Sequence, residues 1–152
     1  FTSCFMGFSS DNRGPVIGTV LTLGLLAGAC SSSGTDPDPQ IPLAAVNEFI
    51  VLTDQQYTPL RFDNGAVYVK GGVRGIIVVR QNATSFLAFD RNCSYRPLDT
   101  CARVRIDPFL RLFDPCCQSQ FSLQGQVQGG PATRPLRRYT TSLAGNILTI
   151  TN

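Results

Sequence analysis

The sequence predicts an all-β domain, built as a small antiparallel sandwich or barrel. From residue 46 onward, short β-prone runs follow one another, and none of them shows the periodicity of a helix. Turn sequences such as Asp63–Gly65 and Ala144–Gly145 separate these runs. The chain of 152 residues contains 14 glycines and 10 prolines, a content that suits many turns within one domain. Many short strands at this spacing are typical of sandwiches and barrels.

The strand positions follow from the same pattern. We expect strands at Phe49–Leu52, Leu60–Phe62, Ala66–Lys70, Gly75–Arg80, Ser85–Asp90, Ala102–Ile106, Phe109–Phe113, Gln120–Leu123, Leu136–Thr140 and Asn146–Ile150. The segment Gly129–Pro135 is expected to be a loop, because its prolines and glycines do not fit within a hydrogen-bonded ladder.

Composition excludes several classes of function. The chain has no histidine, so imidazole-based catalysis and histidine-ligated zinc or haem sites cannot occur. The acidic residues show no paired spacing that indicates catalysis, and we therefore expect no enzyme activity. The net charge of +3 is small and the arginines are scattered, so no nucleic-acid partner is expected.

The first 29 residues are predicted to be a signal peptide with an upstream extension. Met6 is a plausible start, Arg13 supplies a positive charge, and an apolar run covers Val16–Ala29. This run is shorter than the roughly twenty apolar residues that a membrane span needs. Small residues directly before Cys30 resemble the bacterial lipobox, in which the cysteine is lipidated and becomes the first mature residue.

The segment 30–45 is predicted to be the lipidated cysteine and a flexible linker, followed by the β domain at 46–152. Ser31–Pro39 is rich in serine, glycine and proline and cannot pack a core. We expect a lipid anchor to hold the domain at the bacterial outer membrane, facing the periplasm or the cell surface.

Two segments carry a resemblance to Rieske iron–sulfur domains. Asp114–Val127 resembles the second cluster-binding box of that family, and Gly130–Tyr139 resembles its proline loop and the strand that follows. Phe89–Tyr95 is similar to the lead-in of the first box. The likeness covers residues 66–150 and implies a small antiparallel β domain with two loops meeting at one tip. The low-histidine, Cys-Cys version of the second box also resembles that of a group of Bacteroidota-type envelope lipoproteins.

The resemblance places named residues at the cluster positions. Rieske boxes each supply one cysteine and one histidine. Cys93 and Cys116 fall on the cysteine positions, while Tyr95 and Cys117 fall on the histidine positions. Ser119 matches a serine that hydrogen-bonds the cluster. Asp114 replaces a cysteine that bridges the loops in many family members, and Cys101 is a candidate for the displaced partner of that cysteine.

Cysteine number and compartment leave the chemistry of this tip open. In an oxidising compartment, an even number of cysteines favours two disulfides among Cys93, Cys101, Cys116 and Cys117, in an order that the sequence does not assign. The alternatives are an iron–sulfur cluster or a zinc ion on the same four cysteines, or a redox-active thiol pair. We expect a cluster-free structural and interaction module of an envelope protein complex; the alternative is an electron-transfer protein with an all-cysteine site.

Overall fold

The computed structural model describes residues 40–152, which lie within the compact unit Gly34–Asn152. The predicted signal peptide, the predicted lipidation site Cys30 and most of the predicted linker lie outside the described residues. The described part consists of two antiparallel sheets, which confirms the predicted all-β class. No helix in this part is long and apolar enough to cross a membrane.

The larger sheet has six strands in the order β1-β10-β9-β4-β3-β2. Each pair is antiparallel, and the long β9–β10 hairpin turns at Gly145, whose φ of 58° suits glycine. The strands are β1 (Asn47–Val51), β2 (Ala66–Val69), β3 (Ile76–Arg80), β4 (Phe86–Asp90), β9 (Arg138–Ala144) and β10 (Ile147–Thr151).

The smaller sheet has four strands in the order β5-β6-β7-β8. Its register changes between Gln120 and Phe121, where the β7–β8 pairing is irregular. The strands are β5 (Arg105–Asp107), β6 (Arg111–Phe113), β7 (Gln120–Phe121) and β8 (Val127–Gly129).

Strand β3 is buried on both faces and separates two hydrophobic clusters. Ile76 and Val78 point into the first cluster, with side chains from β1, β9 and β10. Ile77 and Val79 point into the second cluster, which the small sheet covers with residues such as Phe121. Consecutive side chains of a strand point to opposite faces, so this uninterrupted apolar run fits a strand buried on both sides. The second cluster also contains Cys93 and therefore supports the candidate site directly.

Several predicted strands are wrong or displaced. The predicted strand Leu60–Phe62 is instead the end of a 3-10 helix at Gln55–Arg61, whose Pro59 has no N–H to donate to a ladder. The predicted strand Ala102–Ile106 begins only at Arg105, since Val104 lies in the preceding loop and donates its N–H to Arg91. Strand β8 was not predicted.

The described chain packs against the domain before the predicted boundary at residue 46. Ile41 is buried, and the Arg137 guanidinium donates hydrogen bonds to the carbonyls of Ile41 at 3.1 Å and Pro42 at 2.6 Å. Within the described residues, packing on the domain therefore extends at least to Ile41, in the segment expected to be a linker.

Candidate functional site

Three loops converge at one end of the second cluster. The first loop (residues 91–104) connects β4 to β5, the second loop (114–119) connects β6 to β7, and the proline loop (130–137) connects β8 to β9. These loops contain every cysteine of the described residues. The resemblance implied two loops meeting at a tip, and the structure adds the third as their support.

The second loop is closed on itself by its own backbone. The N–H of Gln118 donates to the carbonyl of Asp114 at 2.8 Å, and the N–H of Asp114 donates to the carbonyl of Ser119 at 2.9 Å. Gln118 has a φ of 62°, in the left-handed region that favours glycine. The N–H of Cys116 donates to Oδ1 of Asp114 at 2.9 Å. These bonds fix the Asp114 carboxylate beside the cysteines.

The proline loop packs directly on the backbone of the second loop. A Cβ at Gly130, whose φ is 85°, would lie 2.6 Å from Cα of Ser119, so only glycine fits there. The N–H of Ala132 donates to Oγ of Ser119 at 3.1 Å. On the other side, Oγ of Ser94 donates to the carbonyl of Arg134 at 2.6 Å. The proline loop thus holds the first and second loops together.

A disulfide joins the first and second loops between Cys101 and Cys116. The Cα atoms are 5.6 Å apart, within the range usual for disulfides. This is one of the pairings that the sequence left open. The bond closes a loop with a sequence separation of 15 residues.

The second predicted disulfide is not formed. Cys93 and Cys117 are free thiols whose Sγ atoms are 3.5 Å apart, whereas a disulfide needs about 2.05 Å. Cys93 is fully buried, while Cys117 is half-buried. The four cysteines therefore divide into one covalent pair and one pair of thiols in contact.

Asp114 is the site residue that the sequence did not single out as a ligand. Its carboxylate and the sulfurs of Cys93 and Cys117 lie within 4.8 Å of one another. Sγ of Cys117 is 3.2 Å from Oδ2 of Asp114 and 3.0 Å from Oγ of Ser119. A carboxylate two and three residues before adjacent cysteines is the signal that could have identified it.

The environment of Cys93 disfavours ionisation of its thiol and raises its pKa. Burial in the second cluster is the largest cause that raises its pKa, and the Asp114 carboxylate adds to the rise by hydrogen bonding and repulsion. Cys93 is therefore a poor thiolate at neutral pH unless a cation compensates the charge.

The remaining predicted site residues lie near this group without joining it. Tyr95 is half-buried against the second cluster, and the Arg96 guanidinium lies 5.8 Å above its ring. Ser119 is fully buried and hydrogen-bonds Cys117 and Ala132. The ligand-type group in residues 40–152 comprises Cys93, Asp114 and Cys117, with Cys101 and Cys116 bonded to each other.

These residues do not fit a Rieske cluster. The resemblance placed its cysteine ligands at Cys93 and Cys116, but Cys116 is bonded to Cys101 and the chain has no histidine. A four-cysteine cluster or zinc site, the alternative from the sequence, fails for the same reason while this disulfide is intact. The observed donors are two sulfurs and one carboxylate.

Comparisons with known proteins bear on the fold. No family model and no curated protein matches the chain. The crystal structure of the cyanobacterial plasma membrane Rieske protein PetC3 from Synechocystis PCC 6803 is 24% identical, with a TM-score of 0.49, and the match covers 58% of this chain and 87% of that one. The chain is similar to a Rieske protein.

A second solved structure is also similar to this chain. The ferredoxin of carbazole 1,9a-dioxygenase from Nocardioides aromaticivorans IC177 is 18% identical, with a TM-score of 0.43. The match covers 59% of this chain and 86% of the ferredoxin. At these identities and scores, neither a cofactor nor an activity of this chain follows from the two similarities.

Proposed function

We propose that this chain is a lipid-anchored protein of the bacterial cell envelope whose Rieske-like domain works without an iron–sulfur cluster, as a structural and interaction module. The Cys101–Cys116 disulfide carries this proposal, because the sulfur of Cys116, a predicted cluster ligand, is bonded to Cys101 and cannot bind iron. Fold alone does not imply function, so the proposal depends on this site and not on the likeness to Rieske proteins.

The electron-transfer alternative requires four cluster ligands at the tip. With the disulfide intact, Cys93 and Cys117 are the remaining thiols of the described residues. Two sulfurs and the Asp114 carboxylate supply three donors, one short of the usual ligand set of a two-iron cluster. The contacts therefore favour a cluster-free domain, and the proposal assigns it no catalytic reaction.

The content of iron and acid-labile sulfide per chain distinguishes these two functions. The full chain, purified without oxygen from cells supplied with iron, should be colourless and contain neither in stoichiometric amount. A brown protein with about two irons and two sulfides per chain would contradict the proposal and support electron transfer. The Cys101→Ser variant, which opens the disulfide and leaves Cys116 as a thiol, is the matched test of whether the disulfide keeps a cluster out.

The interaction role is supported by two neighbouring surface features. Phe109 and Leu110, at the β5–β6 turn, are 82% and 61% exposed. Beside this hairpin, Oη of Tyr68 accepts a hydrogen bond from the N–H of Ile106 and lines a groove of about 590 Å³. The ionisable cations of the groove are Lys70, Arg74, Arg91 and Arg103, and no acidic side chain lines it.

Electrostatics within the groove favour an acidic partner. The Arg91 guanidinium lies 3.9 Å above the ring of Tyr68, and its pKa is lowered by burial and by repulsion from Arg103 and Arg105. Clustered cations raise the local positive potential, and a negative surface relieves it. We therefore propose an envelope protein with an acidic patch as the partner class.

A photo-crosslinking amino acid placed in living cells tests this surface. Substitution at Phe109 should yield a discrete crosslinked protein, and the Arg103→Glu change should weaken that product. Phe62 is 70% exposed and makes a matched control position away from the hairpin. Equal crosslinking from both positions, or none from Phe109, would contradict the proposed surface.

The proposed anchor has its own test. Cells labelled with a clickable fatty acid should incorporate the label into the wild-type chain but not into the Cys30→Ala variant. Protease treatment of intact cells then distinguishes a surface-facing from a periplasm-facing domain. Equal fatty-acid labelling of the wild type and the variant would contradict lipidation at Cys30.

A further inference from the structure

We propose that Cys93, Asp114 and Cys117 form a binding site for one divalent transition-metal ion of the zinc type, separate from any iron–sulfur chemistry. Two thiolates and one carboxylate oxygen are ligands that zinc accepts in proteins, and binding would release the protons of Cys93 and Cys117 to solvent. The proposal goes beyond the cluster-free module, because a mononuclear ion needs neither inorganic sulfide nor the two cysteines of the disulfide.

Two of the three distances between donor atoms are about 0.3 Å shorter than those around a tetrahedral ion. Zinc lies about 2.3 Å from sulfur and about 2.0–2.2 Å from a carboxylate oxygen, so tetrahedral angles put sulfurs about 3.8 Å apart and sulfur about 3.5 Å from oxygen. The observed separations are 3.5 Å between the sulfurs and 3.2 Å from Cys117 Sγ to Asp114 Oδ2. Small outward shifts of the three donors would seat the ion. A disulfide would instead need the sulfurs to approach each other by roughly 1.5 Å.

The charge at this position also indicates a cation. Asp114 is fully buried, and neither salt bridge of the described residues includes it. A buried carboxylate is costly unless a cation or a metal compensates its charge. Its Oδ1 accepts the N–H of Cys116, while Oδ2 faces the Cys117 sulfur. The carboxylate is therefore held with one oxygen directed at the thiols.

The surrounding loops hold the donors in place. Asp114 and Cys117 lie on the same closed second loop, and Cys93 lies on the first loop, which the Cys101–Cys116 disulfide ties to the second. Oγ of Ser119 contacts the Cys117 sulfur and is itself fixed by the N–H of Ala132. Such supporting hydrogen bonds orient metal ligands. Cys117 is half-buried, which leaves a route for the ion and a solvent molecule as fourth ligand.

Cobalt(II) provides a coloured probe for this site. We would titrate the full chain under anaerobic conditions, in a Cys4→Ala/Cys30→Ala background that removes the thiols outside the described residues. One cobalt per chain should bind, with thiolate charge-transfer bands and the strong visible bands of a tetrahedral ion. Zinc should abolish these bands by displacement.

The matched variant is Asp114→Asn, which keeps the size of the side chain and removes its charge. It should weaken cobalt binding at least tenfold, and Cys93→Ser or Cys117→Ser should abolish the charge-transfer bands. Circular dichroism checks the fold of each variant. In addition, zinc should raise the Tm of the parent chain and leave that of Asp114→Asn almost unchanged.

Two results would overturn the proposal. One is the lack of cobalt bands together with a Cys93–Cys117 disulfide peptide in the same preparation. That result would show that the pair forms a second disulfide and not a metal site. The other is unchanged cobalt affinity in Asp114→Asn and both serine variants. The assay for acid-labile sulfide keeps the two proposals separate: sulfide would contradict the cluster-free module, whereas failure of cobalt binding without sulfide contradicts only the metal site.

Discussion

The hydroxyl of Tyr139 donates a 2.6 Å hydrogen bond to Oδ2 of Asp90, and both residues are buried. The same carboxylate accepts the N–H of Val73 at 2.7 Å through Oδ2 and the N–H of Asn92 at 2.7 Å through Oδ1. Asp90 ends β4, so this one side chain joins the β2–β3 turn, the start of the first loop and β9. The candidate site is thus tied to the large sheet at the residue from which its first loop departs.

Removing the Tyr139 hydroxyl should destabilise the domain. We expect Tyr139→Phe to lower the free energy of unfolding by about 1–3 kcal/mol, because a buried carboxylate loses a donor. Urea denaturation followed by circular dichroism measures the change. Tyr57→Phe is the control, since Tyr57 is half-buried and no hydrogen bond of its hydroxyl occurs within the described residues. Equal losses from both variants would contradict the role of the Asp90 bond.

Alkaline pH should weaken the fold through the same tyrosine. Burial, followed by the hydrogen bond and the charge of Asp90, raises the pKa of Tyr139 above the ordinary value near 10. Its contribution is complete below pH 10. Above that pH the unfolded tyrosine ionises while the folded one does not, so stability falls by at most about 1.4 kcal/mol per pH unit. Urea midpoints measured between pH 9 and about 11.5 should fall less steeply in Tyr139→Phe; parallel profiles would contradict this assignment.

The Cys101–Cys116 disulfide should contribute substantially to the stability of the domain. A disulfide with this sequence separation is worth about 3 kcal/mol in the chain-entropy account. We expect Cys101→Ser/Cys116→Ser to lower the free energy of unfolding by about 2–4 kcal/mol. A reductant should lower the Tm of the wild type and leave the Tm of the double variant unchanged. A further decrease in the double variant would reveal a second disulfide and contradict the free thiols at Cys93 and Cys117.

Close packing of the proline loop predicts a strong effect at Gly130. Alanine there would overlap the Ser119 backbone, whereas alanine at Gly145 meets nothing within 4 Å, and both glycines have positive φ. Gly145→Ala should cost about 1 kcal/mol from backbone strain alone. Gly130→Ala should cost at least about 2 kcal/mol more, and it should raise the alkylation rate of Cys117 because the second loop shifts. Equal Tm values for the two variants would contradict the observed contact.

Sequence patterns predicted the parts of the fold that depend on local chemistry. The predicted strand Gly75–Arg80 coincides with β3, and the predicted turn at Ala144–Gly145 lies between β9 and β10. The predicted strand Leu136–Thr140 is displaced, since β9 covers Arg138–Ala144. The 3-10 helix at Gln55–Arg61 was missed because Leu60 is apolar and buried, as it would be in a strand. Residue type alone does not distinguish a strand from a 3-10 helix over a segment of three residues.

The candidate site was predicted as a set of residues but not as a geometry. Cysteine parity indicated disulfides, yet the pairing depends on how residues 93–101 fold back onto the second loop, which is a tertiary property. Asp114 was noted only as a replacement for a cysteine. Its position beside Cys93 and Cys117 follows from the closed second loop. No pattern in the sequence specifies the backbone hydrogen bonds of Gln118 and Asp114 that close this loop.

Differential alkylation with peptide mapping, performed on the full chain purified without oxygen, tests the central claim most directly. Thiols are alkylated in denaturant with one reagent before reduction and with a second reagent afterwards, and acid-labile sulfide is measured on the same sample. We predict the first label on Cys93 and Cys117, the second label on Cys101 and Cys116, and no sulfide. The first label on all four cysteines, together with about two sulfides per chain, would contradict the cluster-free module.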